Sequence, residues 1–193
     1  FLAEIVGDPS CEYLPQAALK TNYLAVNSMA TLCAHTNINR FVYTSSCSVY
    51  GASQATDDLL NEKSELSPVS HYARMKISSE QALFNQLNPL FLPTILRLAT
   101  VYGHSFRPRF DLVINAFARN AYYDKSITVF GGGQWRPNIH VRDVAGAIIQ
   151  VIESPLQKVG KQVFNVGNID GNSTIKNLSK LTKSVFNDCK VNI

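Results

Sequence analysis

Short runs of β-branched and aromatic residues alternate along this chain with longer segments of helical period. That alternation limits the available folds more than any other feature. Arg40 to Ser45 reads as a buried-type strand, and so do Thr94 to Ala99, Ile127 to Phe130 and Lys161 to Val166. Spaced apolar residues predict helices over Pro15 to His35, His71 to Leu87, Phe110 to Tyr122, His140 to Glu153 and Ser173 to Val185. Asn88-Pro89 stops the second helix, Ser154-Pro155 follows the fourth, and Ser173 is the expected N-cap of the fifth. Such an order builds a parallel sheet flanked by helices. Gly131-Gly132-Gly133 follows a short strand but leads into Gln-Trp-Arg-Pro rather than a helix, so it reads as a turn and not a phosphate loop.

Composition sets the outer limits. A chain of 193 residues with 46% hydrophobic content can bury a substantial core in one or two small domains. No stretch approaches the length of a membrane span, and Glu4 and Asp8 follow Phe1-Leu2-Ala3 too closely for a signal peptide. A cytoplasmic protein with no membrane partner is expected. The four cysteines lack Cys-x-x-Cys spacing and have no clustered histidines, so they read as reduced thiols, with no disulfide frame and no metal site. Net charge of +4 is mild and spread along the sequence, as a solvated basic surface gives it. No Lys/Arg block interleaves with aromatics, which excludes nucleic acid as an expected partner.

The chemistry gathers around Ser70-His71-Tyr72-Ala73-Arg74-Met75-Lys76, some two dozen residues after Thr44-Ser45-Ser46-Cys47-Ser48-Val49-Tyr50-Gly51. On a helix, positions i and i+4 share a face, so the Lys76 ammonium can lie under the Tyr72 phenol. A phenol is a poor base at neutral pH until a neighbouring cation favours its anion. Ser46, at the end of an apolar run, can hold the hydroxyl or carbonyl that Tyr72 deprotonates or protonates. The bare Tyr-x-x-x-Lys spacing is weak, since this composition yields it roughly 0.4 times by chance. Its context, a strand ending in small hydroxyl residues and then a loop and a helix, carries the weight.

With that context the chain resembles the extended short-chain dehydrogenases/reductases, the NAD-dependent epimerase/dehydratase group acting on nucleotide sugars. Further segments carry the resemblance in order: Phe1-Leu2-Ala3, Thr21-Asn22-Tyr23-Leu24, Leu96-Arg97-Leu98-Ala99-Thr100-Val101-Tyr102-Gly103, the run from Gly131 to Val144, and Val163-Phe164-Asn165-Val166-Gly167. The resemblance implies a Rossmann-like, doubly wound parallel α/β sheet lacking its N-terminal βαβ units, with a smaller C-terminal substrate-binding α/β region. Residues 1–103 would belong to the NAD-binding part and 104–193 mainly to the nucleotide-sugar part, some segments returning to the first sheet.

The resemblance also implies roles. Ser46, Tyr72 and Lys76 are the expected catalytic set. Leu2, Ala3, Asn22, Tyr72, Lys76, Leu98 and Ala99 would line NAD, with NADP as the alternative cofactor, and Ser48, Thr100, Arg107 and Arg136 would face the substrate. Arg136 resembles the arginine that grips the substrate diphosphate, a task suited to a guanidinium fork. Dehydratases of the group carry Asp-Glu where this chain has Cys47-Ser48, and a thiol and a hydroxyl do not replace that pair, so a dehydratase is disfavoured. Thr100 stands where galactose epimerases carry Asn, which weakens that particular assignment. The expected activity is epimerisation of a nucleotide sugar. An NADP-dependent reductase of a keto sugar or other ketone is the enzymatic rival, and a dinucleotide-binding sensor the non-catalytic one. A homodimer is expected through helices near residues 15–35 and 71–87. The chain starts without Met at what reads as a strand end, so it is expected to be an internal fragment. Roughly 60–70 upstream residues would carry the glycine-rich pyrophosphate turn, and the fragment alone would be inactive.

Overall fold

The computed structural model describes residues 1–51 and 59–193. Helices α1 (Asp8–Tyr13) and α2 (Pro15–Ala18) come first, and a π-helical turn (Leu19–Leu24) joins α2 to α3 (Ala25–His35). Strand β1 (Arg40–Ser46), a 3-10 turn (Cys47–Tyr50), α4 (His71–Phe84) and β2 (Leu92–Leu98) follow. Next come β3 (Thr100–Tyr102), α5 (Val113–Tyr123), β4 (Ser126–Thr128), β5 (Trp135–His140), α6 (Val141–Glu153) and α7 (Leu156–Val159). The chain ends with β6 (Gln162–Val166), β7 (Asn172–Thr174), α8 (Ile175–Val185) and β8 (Lys190–Asn192). Two compact units result: Phe1–Leu98 with Ala147–Asn165, and Ala99–Gly146 with Val166–Ile193. No helix among the described residues is long and apolar enough to cross a membrane.

The first unit is built on a sheet ordered β1-β2-β6. β1 and β2 run parallel in unbroken register from Arg40↔Leu92 to Ser46↔Leu98. β2 is buried from Pro93 to Arg97, as a strand covered on both faces must be, with Ile95 and Leu96 in the core and Thr94 and Arg97 buried through hydrogen bonds. Val26, Ala30, Cys33 and Ala34 of α3 and Leu83 of α4 close over Phe41, Tyr43, Phe91 and Ile95. Rings of Phe1, Phe41 and Phe91 follow one another at centroid spacings of 6.1 and 5.9 Å. At the start of β1, Arg40 donates to the carbonyls of Val151 and, at 2.8 Å, of Ser154. A cation there satisfies the last carbonyls of α6 and opposes the helix dipole.

In the second unit β3 and β5 pair in parallel from Thr100↔Asn138 to Tyr102↔His140, β5 pairs antiparallel with β7, and β4 pairs in parallel with β8. Phe117 and Ala121, one turn apart on α5, meet Ile127, Val129, Leu178 and Cys189 in its core.

The structure refines the sequence reading at several points. Helix α4 ends at Phe84, three residues before Leu87, where the cap residue Asn85 leaves helical geometry at φ −83° and ψ 1°. Helix α8 is capped by Thr174, not Ser173: the Thr174 hydroxyl accepts from the Asn177 amide at 3.2 Å, while Ser173 pairs with Arg136 across the sheet. His140 closes β5 and α6 opens at Val141, one of the two starts the sequence allows, and His140 Nδ1 accepts from the Arg142 amide at 3.2 Å. β5 itself was not foreseen, since Trp-Arg-Pro-Asn-Ile-His has little β propensity and is held by partners on both sides. The glycine run is a turn as expected, with positive φ at Gly131 (76°) and Gly132 (89°).

Candidate active site

Helix α4 starts at Ser70, whose hydroxyl accepts from the Ala73 amide at 3.1 Å and so fixes where the first turn begins. Tyr72 lies in that turn, half-buried against Cys11, Ala18 and Met75. Lys76 follows one turn later and is 2% exposed. Its Nζ lies 5.5 Å from the Tyr72 ring centroid and 4.8 Å from that of Tyr43 on β1, a cation set between two π faces. The ammonium donates to the Glu4 carboxylate and, at 2.5 Å, to the Thr44 carbonyl. Thr44 is two residues before Ser46, so α4 and the end of β1 converge here. An ammonium carries three donors. Among the described residues two of the Lys76 donors are engaged.

Glu4 is held from several sides. Its second carboxylate oxygen accepts from the Tyr43 hydroxyl at 2.8 Å. The next residue, Ile5, is gripped at both backbone groups by Asn22: its N–H donates to Oδ1 at 2.8 Å and its carbonyl accepts from Nδ2 at 2.7 Å. Asn22 is fully buried on the π-helical turn, a widened turn of the kind frequent at functional sites. The Phe1 amine donates to the Val42 carbonyl at 2.5 Å, and the Thr44 hydroxyl donates to the Phe1 carbonyl at 3.1 Å, which lays the first residues along β1. Burial pushes the Lys76 ammonium below its usual pKa, and the Glu4 carboxylate pulls the other way. Burial, followed by the charge of Glu4, pushes the Tyr43 phenol up.

Ser46 ends β1 half-buried, and its hydroxyl accepts from the Ser48 amide at 3.2 Å and the Ser48 hydroxyl at 2.9 Å. Immediately behind it lies a buried polar network. Ser45 donates to Glu80 Oε1 at 2.5 Å, and Arg97 forks onto the same carboxylate through Nε at 3.1 Å and Nη2 at 2.7 Å. Nη1 of Arg97 also donates to the Tyr50 hydroxyl at 3.0 Å, and that hydroxyl donates to Asn165 Oδ1 at 2.6 Å. Because Glu80 is one turn beyond Lys76 and Ser45 adjoins Ser46, the network ties the two halves of the site together.

The other residues singled out by sequence fall as follows. Leu2 and Ala3 are exposed, and Leu98 is half-buried opposite Ser46 in the β1–β2 register. Ala99, Thr100, Arg107 and Arg136 belong to the second unit. Thr100 pairs with Asn138. Arg107 and Arg136 are exposed, with Arg136 Nη1 resting on the Trp135 carbonyl at 3.2 Å. Glu4, Tyr43, Glu80 and Arg97 were not foreseen as parts of the site; Glu4 and Lys76 are 72 residues apart, and no local pattern announces such a pair.

Fold and site together define a Rossmann-like α/β chain with hydroxyl, phenol and ammonium groups at the C-terminal end of a parallel strand. The chain belongs to the NAD-dependent epimerase/dehydratase family, whose model matches residues 1–167. It is 31% identical over 160 residues to an uncharacterized UDP-glucose epimerase, YtcB, of Bacillus subtilis (strain 168), a match covering 82% of this chain and 48% of that protein. Among solved structures it is similar to a UDP-N-acetylglucosamine 4-epimerase from Methanobrevibacter ruminantium M1 in complex with UDP-N-acetylmuramic acid. There the TM-score is 0.86 and the identity 27%, over 99% of this chain and 61% of the other. It is similar also to MoeE5 in complex with UDP-glucose and NAD, with a TM-score of 0.83 and 26% identity over 100% of this chain and 64% of that one. The chain spans about half the length of the curated relatives it matches.

Proposed function

We propose that this chain carries the proton-transfer site and part of the substrate side of an NAD-dependent nucleotide-sugar epimerase, which removes hydride from one sugar carbon and returns it there. The observation that supports this best is the placement of Lys76. Its buried ammonium sits beside the Tyr72 ring and at the end of the strand that carries Ser46, with one donor not engaged by any described residue. That donor set fits the nicotinamide ribose, whose hydroxyls Lys76 would hold.

NAD supplies the hydride acceptor when bound; the chain's residues handle the proton and the geometry. Tyr72, as phenolate, takes the proton from the sugar hydroxyl and later gives it back. Ser46 orients that hydroxyl, and Ser48, hydrogen-bonded to it, steadies its rotamer. Asn22 would act on the cofactor side through the Leu2–Ile5 segment, since its amide is committed to the Ile5 backbone. In the second unit, Arg107 and Arg136 would meet the diphosphate, and Thr100 the sugar. The half-buried Cys47 and Ser48 provide no carboxylate pair for eliminating water, which favours epimerisation over dehydration. On the outer face, Leu24 and Leu32 stand 45% and 55% exposed, an apolar surface that suits the homodimer expected from the family.

Tyr72→Phe is the direct test, made in the full natural protein with UDP-sugars as substrates. Turnover should fall by about 10²–10⁴-fold, with the helical circular dichroism unchanged. Turnover retained in that variant would overturn the assignment.

A further inference from the structure

Glu4 belongs to none of the patterns that define the site, yet its carboxylate is the ion-pair partner of Lys76, with the two side chains 3% and 2% exposed. A cation beside a phenol favours the phenolate. A carboxylate on the same cation opposes that effect, and in a buried site the opposition is weakly screened. The carboxylate is held away from water: Tyr43 donates to its other oxygen and Asn22 clamps the adjoining backbone.

On the reading of Tyr72 as the proton acceptor, we propose that Glu4 is a positioning residue. It draws the Lys76 ammonium toward the end of β1 and offsets its charge, so that Tyr72 becomes a base only at higher pH than Lys76 alone would set.

Other titratable groups face the pair from each packed element. Tyr43 on β1 engages Glu4 itself. Glu80 lies farther along α4, but Arg97 forks onto its carboxylate. Cys11 on α1 has its thiol pushed up by burial and stays neutral. Among the described residues, Glu4 is therefore the carboxylate that governs Lys76.

The test is a titration of the full natural protein, following the near-ultraviolet absorbance of tyrosinate. Subtracting the same titration of each variant's Tyr72→Phe counterpart isolates Tyr72. Glu4→Gln should lower the Tyr72 midpoint by about one pH unit, and the pH–rate profile should move its acid limb by the same amount. If Glu4→Gln does not fold, Glu4→Asp carries the test. It keeps the charge but withdraws it by one methylene, and should lower the midpoint by a smaller step. A midpoint that is unmoved or raised in whichever variant folds overturns the role of Glu4. Loss of turnover in Tyr72→Phe with an unmoved midpoint would remove Glu4 and leave the functional reading intact. Full turnover in Tyr72→Phe would overturn both.

Discussion

The first unit places charge in its interior, where Lys76–Glu4 and Arg97–Glu80 are 2% to 6% exposed. The second unit keeps its ion pairs at the surface: Arg109–Asp111, Arg119–Asp124 and Lys125–Asp188 leave 33% to 62% of each side chain in water. The contrast separates two uses of charge. A buried pair is often no better for stability than well-packed apolar residues, but losing one partner strands the other in a medium that cannot solvate it. Interior pairs therefore pin geometry, and in the first unit they pin the strand end of Ser46 to the helix of Tyr72 and Lys76. The second unit has no comparable buried pair among its described residues, and its order rests on the apolar cluster of α5, α8 and β4.

The largest break in this comparison should come from Arg97. Arg97→Met leaves the Glu80 carboxylate without its fork and should cost about 3–5 kcal/mol in urea denaturation. Replacing both members, Arg97→Met with Glu80→Leu, should recover most of that stability while lowering turnover, because the tie between Ser45 and α4 is lost. If the single change costs less than about 1 kcal/mol, the interior pairs are not the pins described here.

In the second unit the corresponding loss should come from an apolar truncation. Leu178, on α8, packs in the cluster with Phe117 and Ile127 and is 7% exposed. Leu178→Ala should cost about 2–3 kcal/mol, the lower part of the range for a core leucine, since the site borders solvent. An effect no larger than that of a surface substitution would show that this cluster does not hold the unit.

How far the sequence announced this arrangement depends on the distance over which each signal acts. The alternation of strand and helix was legible because β1, β2 and α4 declare themselves within a few residues, through Arg40-Phe41-Val42-Tyr43 and through apolar spacing after Ser70. The proximity of Tyr72 and Lys76 follows from helical geometry alone. β5 and β7 were illegible, because Trp135 to His140 and Asn172 to Thr174 become strands only by pairing with each other and with β3. The partners of Lys76 were illegible for the same reason: Glu4 and Thr44 reach it from 72 and 32 residues away. Family resemblance named the residues expected to meet the ligand, whereas the carboxylate paired with Lys76 is visible only in the structure.

The smallest effect should come from the surface pair at Arg109, and it sharpens the contrast by its conditions. Arg109 donates to both Asp111 oxygens, at 3.1 Å through Nε and 2.5 Å through Nη2, and this hydrogen bonding holds the Asp111 carboxyl below its usual pKa. A depressed folded-state value means that the unfolded chain binds the proton more readily. The contribution of Asp111 is thus complete above the ordinary carboxylate range and is lost as pH falls through the folded value. Asp111→Asn should cost under about 1 kcal/mol at pH 7, given exposures of 33% and 53%. The difference from the natural chain, read from urea midpoints, should shrink toward zero in acid and also in molar salt. The loss from Arg97→Met, in contrast, should be nearly independent of salt. If the Asp111→Asn loss persisted in molar salt, this surface pair would be behaving as an interior one, and the division between the two units would fail at that point.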